Sequence, residues 1–136
     1  MAAKTYNLNF FGYVRKENLP ERVGIYLTYT VKYNLQTGKH EIDELVYIGE
    51  SVNIKDRQDQ HFADGDYPHG ALLAFAYALM PDPEASRIRC ESAMIFYIRP
   101  RWNRRNTQSF NYDTTTVNSL GNPKGVPSTF TVYRTP

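Results

Sequence analysis

Cysteine and tryptophan are almost absent from this sequence, since each occurs only once, as Cys90 and Trp102. A single thiol cannot form a disulfide within the chain, which argues against a disulfide-stabilised secreted scaffold. No spacing of Cys and His is typical of a zinc site, and no internal repeat occurs. No apolar run is long enough to cross a bilayer, and no charged and then apolar leader is recognisable. The sequence therefore predicts a cytoplasmic protein with no membrane partner.

A strong excess of one charge is also missing. The chain has 16 Lys and Arg against 14 Asp and Glu, for a net charge of +2, so overall charge does not identify a nucleic-acid-binding protein. The positive charge is nevertheless clustered, because Arg99, Arg101, Arg104 and Arg105 surround Trp102. Guanidinium groups suit phosphate oxygens, but cations are also common at a solvated helix C-terminus. Charge alone leaves both interpretations open.

Tyrosine, in contrast, is abundant, with 11 residues in a chain of 136. A buried phenol needs a hydrogen-bond partner, so many of these side chains are expected at the surface or along a groove. With 41% hydrophobic residues, residues 1–136 are long and apolar enough to form one domain with a buried core.

Two β-branched and aromatic runs have the composition of strands. The first, 23–31, contains Gly24-Ile25-Tyr26, and the second, 44–50, contains Tyr47-Ile48-Gly49. The turn signal Thr37-Gly38-Lys39 lies between them and predicts an antiparallel hairpin. Such a hairpin would bring the two tyrosines of these tripeptides close together.

Side-chain alternation predicts which face each residue of these runs joins. In the first run Ile25 and Tyr26 would point to opposite faces. In the second, Leu45 and Tyr47 would share one face, with Val46 on the other.

A helix is predicted after the hairpin. Ser51 or Asn53 can cap its N-terminus, and it should run to about Phe62. Arg57 and His61 are four residues apart, so both side chains would point the same way.

A second helix begins near the segment 81–84, where Asp82 is the predicted N-cap, and it ends at about Ile98 because Pro100 cannot extend it. Glu91 falls in the middle of an apolar arc of this helix. A desolvated carboxylate needs a cation or a solvent-filled cleft. The apolar residues of the arc are Ile88, Met94, Ile95 and Ile98.

The remaining segments are less distinctive. Residues 72–80 are apolar on both faces, which fits either a helix or a strand covered on both sides. Residues 6–14 alternate and would add a strand to the edge of the hairpin, and 128–133 alternate like a final strand. The polar stretch 104–127 is predicted to be loop.

Taken in order, several of these residues resemble the GIY-YIG nuclease family. The resemblance covers residues 20–103 as a catalytic module and leaves 1–19 and 104–136 as terminal extensions. It implies an α/β fold of β-β-α-β-α order, with a three-stranded antiparallel or mixed sheet flanked by helices and extra edge strands from the termini. It also favours a strand at 72–80. The matching positions are Tyr26, Tyr47, Arg57, His61, Glu91 and Asn103.

The resemblance implies a metal-dependent DNA endonuclease that hydrolyses phosphodiester bonds. Glu91 would hold one Mg²⁺ or Mn²⁺, and no second carboxylate is expected nearby, so one ion is predicted. Arg57 would contact the scissile phosphate. The candidate DNA-binding side chains are Lys55, Arg57, Arg99, Arg101, Arg104 and Arg105.

Tyr26 is the implied general base. A phenol with a pKa near 10 is a poor base at neutral pH, so it would need nearby cations or a relay through His61. Tyr47 would orient water or phosphate, and Asn103 would position the site by hydrogen bonding. His69 is a further candidate.

An alternative from another class is a non-catalytic nucleic-acid-binding or adaptor protein on the same scaffold. Loss of activity would most simply remove Glu91 or Arg57, and both are present. If the chain is a one-site enzyme, cutting both strands of a duplex would need a homodimer or sequential nicks.

Overall fold

The computed structural model describes residues 2–136, which form one mixed six-stranded sheet and two helices. The strand order is β3-β2-β4-β1-β5-β6, and all neighbours are antiparallel except β1 and β5. The elements are β1 (Lys4–Val14), β2 (Gly24–Asn34), β3 (Lys39–Ser51), α1 (Ile54–Ala63), β4 (Leu73–Leu79), α2 (Glu84–Ile98), β5 (Thr115–Leu120) and β6 (Thr129–Val132).

The predicted hairpin is confirmed as β2 and β3, in which Tyr26 pairs with Gly49 and Thr28 pairs with Tyr47. The apolar run 72–80 forms β4, which pairs with β2 on one side and β1 on the other. Since neighbours occupy both of its edges and residues on both of its faces are buried, its continuous apolar sequence is that of an interior strand. From β2 to α2 the element order is β-β-α-β-α.

The sheet has six strands, more than the predicted three-stranded core, because the two terminal segments contribute three further strands to it, as the expected extra strands from the termini allowed. The N-terminal strand β1 was expected at the edge of the hairpin, but it lies inside the sheet between β4 and β5. Local alternation can indicate a strand, but it carries no information about the partner of that strand.

The stretch 104–127 was predicted to be loop, and this is wrong for β5. Thr115, Val117 and Ser119 are buried on one face of this strand. Its short polar side chains hide the alternation that apolar residues would reveal, and pairing with β1 is what stabilises it. The final strand, β6, is confirmed.

The two faces of β2 contribute to different cores, as alternation predicted. Ile25 and Leu27 join the larger core, which includes α2 residues such as Met94. Tyr26 joins a smaller core on the other face, together with Ile54 of α1.

A β-bulge in β3 overturns the predicted alternation there. Tyr47 pairs with Thr28 but Leu45 pairs with Tyr29, so Val46 is an extra residue in the ladder. As a result Leu45 packs in the larger core, whereas Tyr47 packs beside Tyr26 on the opposite face.

Local capping explains where the helices begin and end. The Asn53 side chain accepts a hydrogen bond from the backbone N–H of Asp56 at 3.1 Å, so Asn53 rather than Ser51 caps α1. The N-cap of α2 is Pro83 rather than Asp82, and the helix ends before Arg99, which adopts φ 55°. Within residues 2–136, neither helix combines the length and apolar character needed to span a membrane.

Candidate active site

A cleft of about 600 Å³ opens where β2, β3, α1 and α2 meet the segment 102–106. These elements are distant in sequence, so only the fold brings their side chains together. All six residues singled out from the sequence line this cleft: Tyr26, Tyr47, Arg57, His61, Glu91 and Asn103. Of the other candidate DNA-binding residues, Arg104 and Arg105 line the cleft, whereas Lys55, Arg99 and Arg101 do not.

Close approaches explain the glycine of each tripeptide. A Cβ atom at Gly24 would lie 2.1 Å from the carbonyl oxygen of Ala78. A Cβ atom at Gly49 would lie 2.3 Å from the ring of Tyr26. Gly49 is therefore what allows the Tyr26 ring to cross β3 toward the cleft.

Replacing Gly49 by Ala should destabilise the fold by about 1–3 kcal/mol, because the new methyl group must displace the buried Tyr26 ring. Urea unfolding measures this loss. Gly65→Ala is the control, since no atom lies within 4 Å of a Cβ there and only its φ of 71° opposes the change. Equal losses in the two variants would contradict a steric role for Gly49.

A hydrogen-bonded chain of three side chains forms the floor of the cleft. The Tyr26 hydroxyl lies 2.7 Å from His61 Nε2, and His61 Nδ1 lies 2.8 Å from Asp66 Oδ2. An ionised carboxylate can only accept, so Nδ1–H donates to Asp66 and Nε2 accepts the Tyr26 O–H. Tyr26 and His61 are 1% and 2% exposed, and both side chains line the cleft.

Burial sets the protonation states of this chain. It raises the pKa of Tyr26 well above the ordinary phenol value, and the neighbouring Tyr67 and Tyr47 raise it further. Burial lowers the pKa of His61, although the hydrogen bond with Asp66 opposes the shift. At neutral pH the phenol is therefore protonated and the imidazole is neutral, so the basic lone pair of the chain is that of His61 Nε2, which accepts the Tyr26 O–H.

Asp66 was missed in the sequence because it lies in a loop of Gly, Asp and Pro that looks like any turn. Only the fold places its carboxylate against His61. A sequence signal for Asp66 is its position five residues after a His in a predicted helix, but this signal is weak.

Tyr47 lies above this chain, with its ring 6.1 Å from that of Tyr26 and 5.2 Å from that of His61. Burial raises its pKa, as does the nearby Glu91, whereas Arg57 lowers it. Among residues 2–136 its hydroxyl has no hydrogen-bond partner, and its side chain is only half-buried. It is thus free to contact a bound group in the cleft.

Glu91 faces the chain from α2, half-buried between Ile88 and Ile95 of the predicted apolar arc. Burial raises the pKa of this carboxyl to about 7, and repulsion from Glu50 adds to the rise. A hydrogen bond from the Glu50 backbone and the charges of Arg105 and Arg57 oppose it.

Besides Asp66, Glu50 is a further carboxylate in the cleft, which the sequence analysis did not expect. Its Oε1 accepts a hydrogen bond from Nε of the buried Arg87 at 3.0 Å. The sequence signal for Glu50 was its position directly after Gly49, near the end of β3, the strand that packs against α2. Because Glu50 already pairs with Arg87, it is better placed to contribute negative charge to the cleft than to act as a metal ligand.

This donor set fits one weakly held metal ion. No group of three His, Cys, Asp or Glu side chains able to hold a metal occurs in the described part of the chain. Mg²⁺ commonly binds through one or two carboxylates and keeps several waters, so Glu91 alone can provide the protein ligand. A cation at Glu91 would also relieve its repulsion by Glu50.

The arginines divide into two groups. Arg57 donates only to the Gln60 side chain, and Arg104 and Arg105 have no hydrogen-bond or ion-pair partner within residues 2–136. Arg101 instead donates to both Glu44 oxygens at 3.0 and 3.1 Å, and Arg99 donates to the carbonyl of Phe96. The first group is available to an anion in the cleft, whereas the second has local partners outside it.

Asn103 anchors the segment that carries these arginines. Its Oδ1 accepts from the Ile48 N–H and its Nδ2 donates to the Ile48 carbonyl, both at 2.9 Å. The backbone N–H of Trp102 also donates to the carbonyl of Val46, the extra residue of the bulge. Asn103 thus hydrogen-bonds to the edge strand β3 much as a neighbouring strand would.

Comparisons of the chain with protein-family models, with curated proteins and with solved structures found no match.

Proposed function

We propose that this chain is a metal-dependent DNA endonuclease of the GIY-YIG type, which hydrolyses phosphodiester bonds with one divalent cation. The observation that carries the proposal is the convergence, in one cleft, of a Tyr26–His61 pair, the Arg57 guanidinium and the Glu91 carboxylate. The β-β-α-β-α order from β2 to α2 also agrees with that family.

Charge supports a phosphate as the bound group. Arg57, Arg104 and Arg105 present three guanidinium groups to the cleft without a carboxylate partner. Guanidinium forks bind phosphate oxygens in two-point contacts and stabilise the negative charge that grows in the transition state.

The hydrogen-bond chain supplies the proton acceptor. In the proposed step an attacking water passes a proton to the Tyr26 oxygen while the Tyr26 O–H proton moves to His61 Nε2. The imidazolium that forms is stabilised by Asp66. A free phenolate is never needed, which matters because burial disfavours it.

Glu91 would hold the divalent cation, which when bound supplies positive charge for the phosphate and the departing oxygen. The carboxyl must be ionised to do so, and its pKa of about 7 places that ionisation near neutral pH. The Tyr47 hydroxyl interacts electrostatically with both Glu91 and Arg57. Tyr47 and Arg57 would therefore orient the phosphate against the cation at Glu91.

The test is cleavage of supercoiled plasmid in Mg²⁺, with EDTA as the metal-free control. Arg57→Ala should slow nicking about 100-fold, since it removes a guanidinium that acts electrostatically on Tyr26, Tyr47 and Glu91 alike. Lys55→Ala is the matched control, because Lys55 lies on the same helix outside the cleft, and its rate should stay within about threefold of wild type.

If the wild-type chain binds DNA but does not cut plasmid, single-stranded or branched DNA in Mg²⁺ or Mn²⁺, the nuclease proposal is wrong and the adaptor alternative holds. Equal loss of nicking in the two variants would instead show that helix α1 acts through its overall charge.

A further inference from the structure

A second groove, of about 660 Å³, adjoins the cleft and has no role in the steps above. It shares Asp66, Tyr67, Trp102 and Arg104 with the cleft, so the two spaces have a common wall. A strand that places a phosphate in the cleft would therefore continue into this groove.

The groove has an aromatic surface. Tyr67 is buried, and its ring lies 5.3 Å from that of Phe62 and 5.9 Å from that of Trp102. Phe62 remains 42% exposed and Trp102 is half-buried, so these two rings, which both pack against the buried Tyr67, form an aromatic patch that water still reaches. Exposed rings of this kind are stacking platforms for nucleobases.

Positive charge lies over and beside the same patch. Arg104 lines both the groove and the cleft and has no partner within residues 2–136. The Arg101 guanidinium, which also pairs with Glu44, lies over the Trp102 ring at 5.7 Å from its centre. Lys16 Nζ lies over the Phe62 ring at 5.1 Å, so a base that stacks on this face would displace that flexible side chain. The negative group that lines the groove, Asp66, is already hydrogen-bonded by His61.

This combination selects an unpaired nucleotide rather than a duplex. In a duplex each base face is covered by its neighbours, so a protein ring can stack only on a base that has left the helix. A site for duplex backbone alone would need cations but no exposed aromatic surface.

We propose that this groove is a subsite for one unpaired nucleotide of the DNA strand, next to the phosphate held in the cleft. Its base stacks on the Phe62–Trp102 patch, and Arg104 binds the phosphate that joins the two sites. The identity of the ligand as DNA rests on the proposed function. The enzyme therefore selects DNA with a flap, gap or single-stranded segment at the cut.

Trp102 is the single tryptophan of the chain, so its fluorescence reports directly on this subsite. Single-stranded oligonucleotides in EDTA, where no metal supports cleavage, should quench it. Moving one abasic nucleotide stepwise along the oligonucleotide should reduce affinity about 10-fold at one position, with loss of the quenching there, and change little elsewhere. This series alters only the DNA, so it does not depend on any variant folding.

A protein variant then locates the effect. Phe62→Ala should weaken binding of the intact oligonucleotide about 10-fold but leave binding of the critical abasic oligonucleotide unchanged, because the stacked base is already missing. Tyr133→Ala, which removes an exposed ring outside both spaces, should bind both oligonucleotides like wild type.

A flat abasic profile, equal quenching by a fully paired duplex, or no binding would overturn the subsite. So would Phe62→Ala weakening both oligonucleotides equally. Cleavage in Mg²⁺ is scored separately: cutting with a flat abasic profile refutes the subsite alone, whereas position-specific quenching without cutting refutes the nuclease and keeps the subsite.

Discussion

Glu91→Gln should reduce DNA cleavage in Mg²⁺ by at least about 1000-fold. The amide keeps the size of the side chain but cannot hold a cation by charge, and the other two carboxylates in the cleft are engaged, Glu50 by Arg87 and Asp66 by His61. Initial rates of plasmid nicking measure the effect. Glu84→Gln, an exposed change at the start of the same helix, should cut like wild type.

A metal-binding readout separates loss of the ion from loss of the fold. At pH 8, Mg²⁺ should raise the thermal unfolding midpoint of wild type but not that of Glu91→Gln, because a ligand stabilises only the state that binds it. A similar rise in both proteins would place the ion elsewhere and contradict the assignment of Glu91.

The same pair of proteins tests the electrostatics of the cleft without metal. The pKa of Glu91 is raised from 4.5 in an exposed carboxyl to about 7 in the fold, so the folded state holds a proton that the unfolded state has released between these values. Stability is therefore intact below pH 4.5 and falls as pH rises to 7, by at most about 3 kcal/mol. Relative to Glu91→Gln, wild type should lose this stability in urea unfolding over that window.

Tyr26→Phe should reduce cleavage about 1000-fold and leave DNA affinity nearly unchanged. The substitution removes the one hydroxyl that links the cleft to His61 Nε2, while the ring that packs against Gly49 stays in place. Single-turnover rates at saturating enzyme separate this chemical defect from binding. The buried His61 Nε2 also loses its donor, so stability should fall by about 1–3 kcal/mol.

Tyr29→Phe is the matched control for this loss of stability. Tyr29 lies on the same strand and is equally buried, but its hydroxyl donates to the carbonyl of Lys124 on the opposite face of the sheet. Tyr29→Phe should lower the free energy of unfolding but leave the cleavage rate unchanged. If Tyr26→Phe cut DNA at the rate of Tyr29→Phe, no proton would pass through Tyr26.

Local patterns predicted the parts of the cleft that depend on one element at a time. The four-residue spacing of Arg57 and His61 placed both on one helix face, and the apolar arc singled out Glu91 as a carboxylate in need of a partner. The hairpin signal placed Tyr26 beside Tyr47. Each of these depends on a helical or strand period that can be counted along the chain.

The remainder depended on contacts between distant segments. Nothing local shows that Asp66 orients His61, or that Arg87 engages Glu50. The bulge at Val46 shifts the strand phase by one residue without a Gly or Pro to mark it. The strand β5 is polar in sequence and becomes a strand only because β1 lies beside it.

The parallel pairing of β1 with β5 ties the two ends of the chain to the centre of the molecule. Without β1, the interior strand β4 would become an exposed edge strand that can pair with other chains. The larger core would also lose apolar side chains from both ends, such as Phe10 and Phe130. We therefore expect the stretch that carries all six candidate catalytic residues to be less stable and more prone to aggregation when it is excised than it is within the full chain.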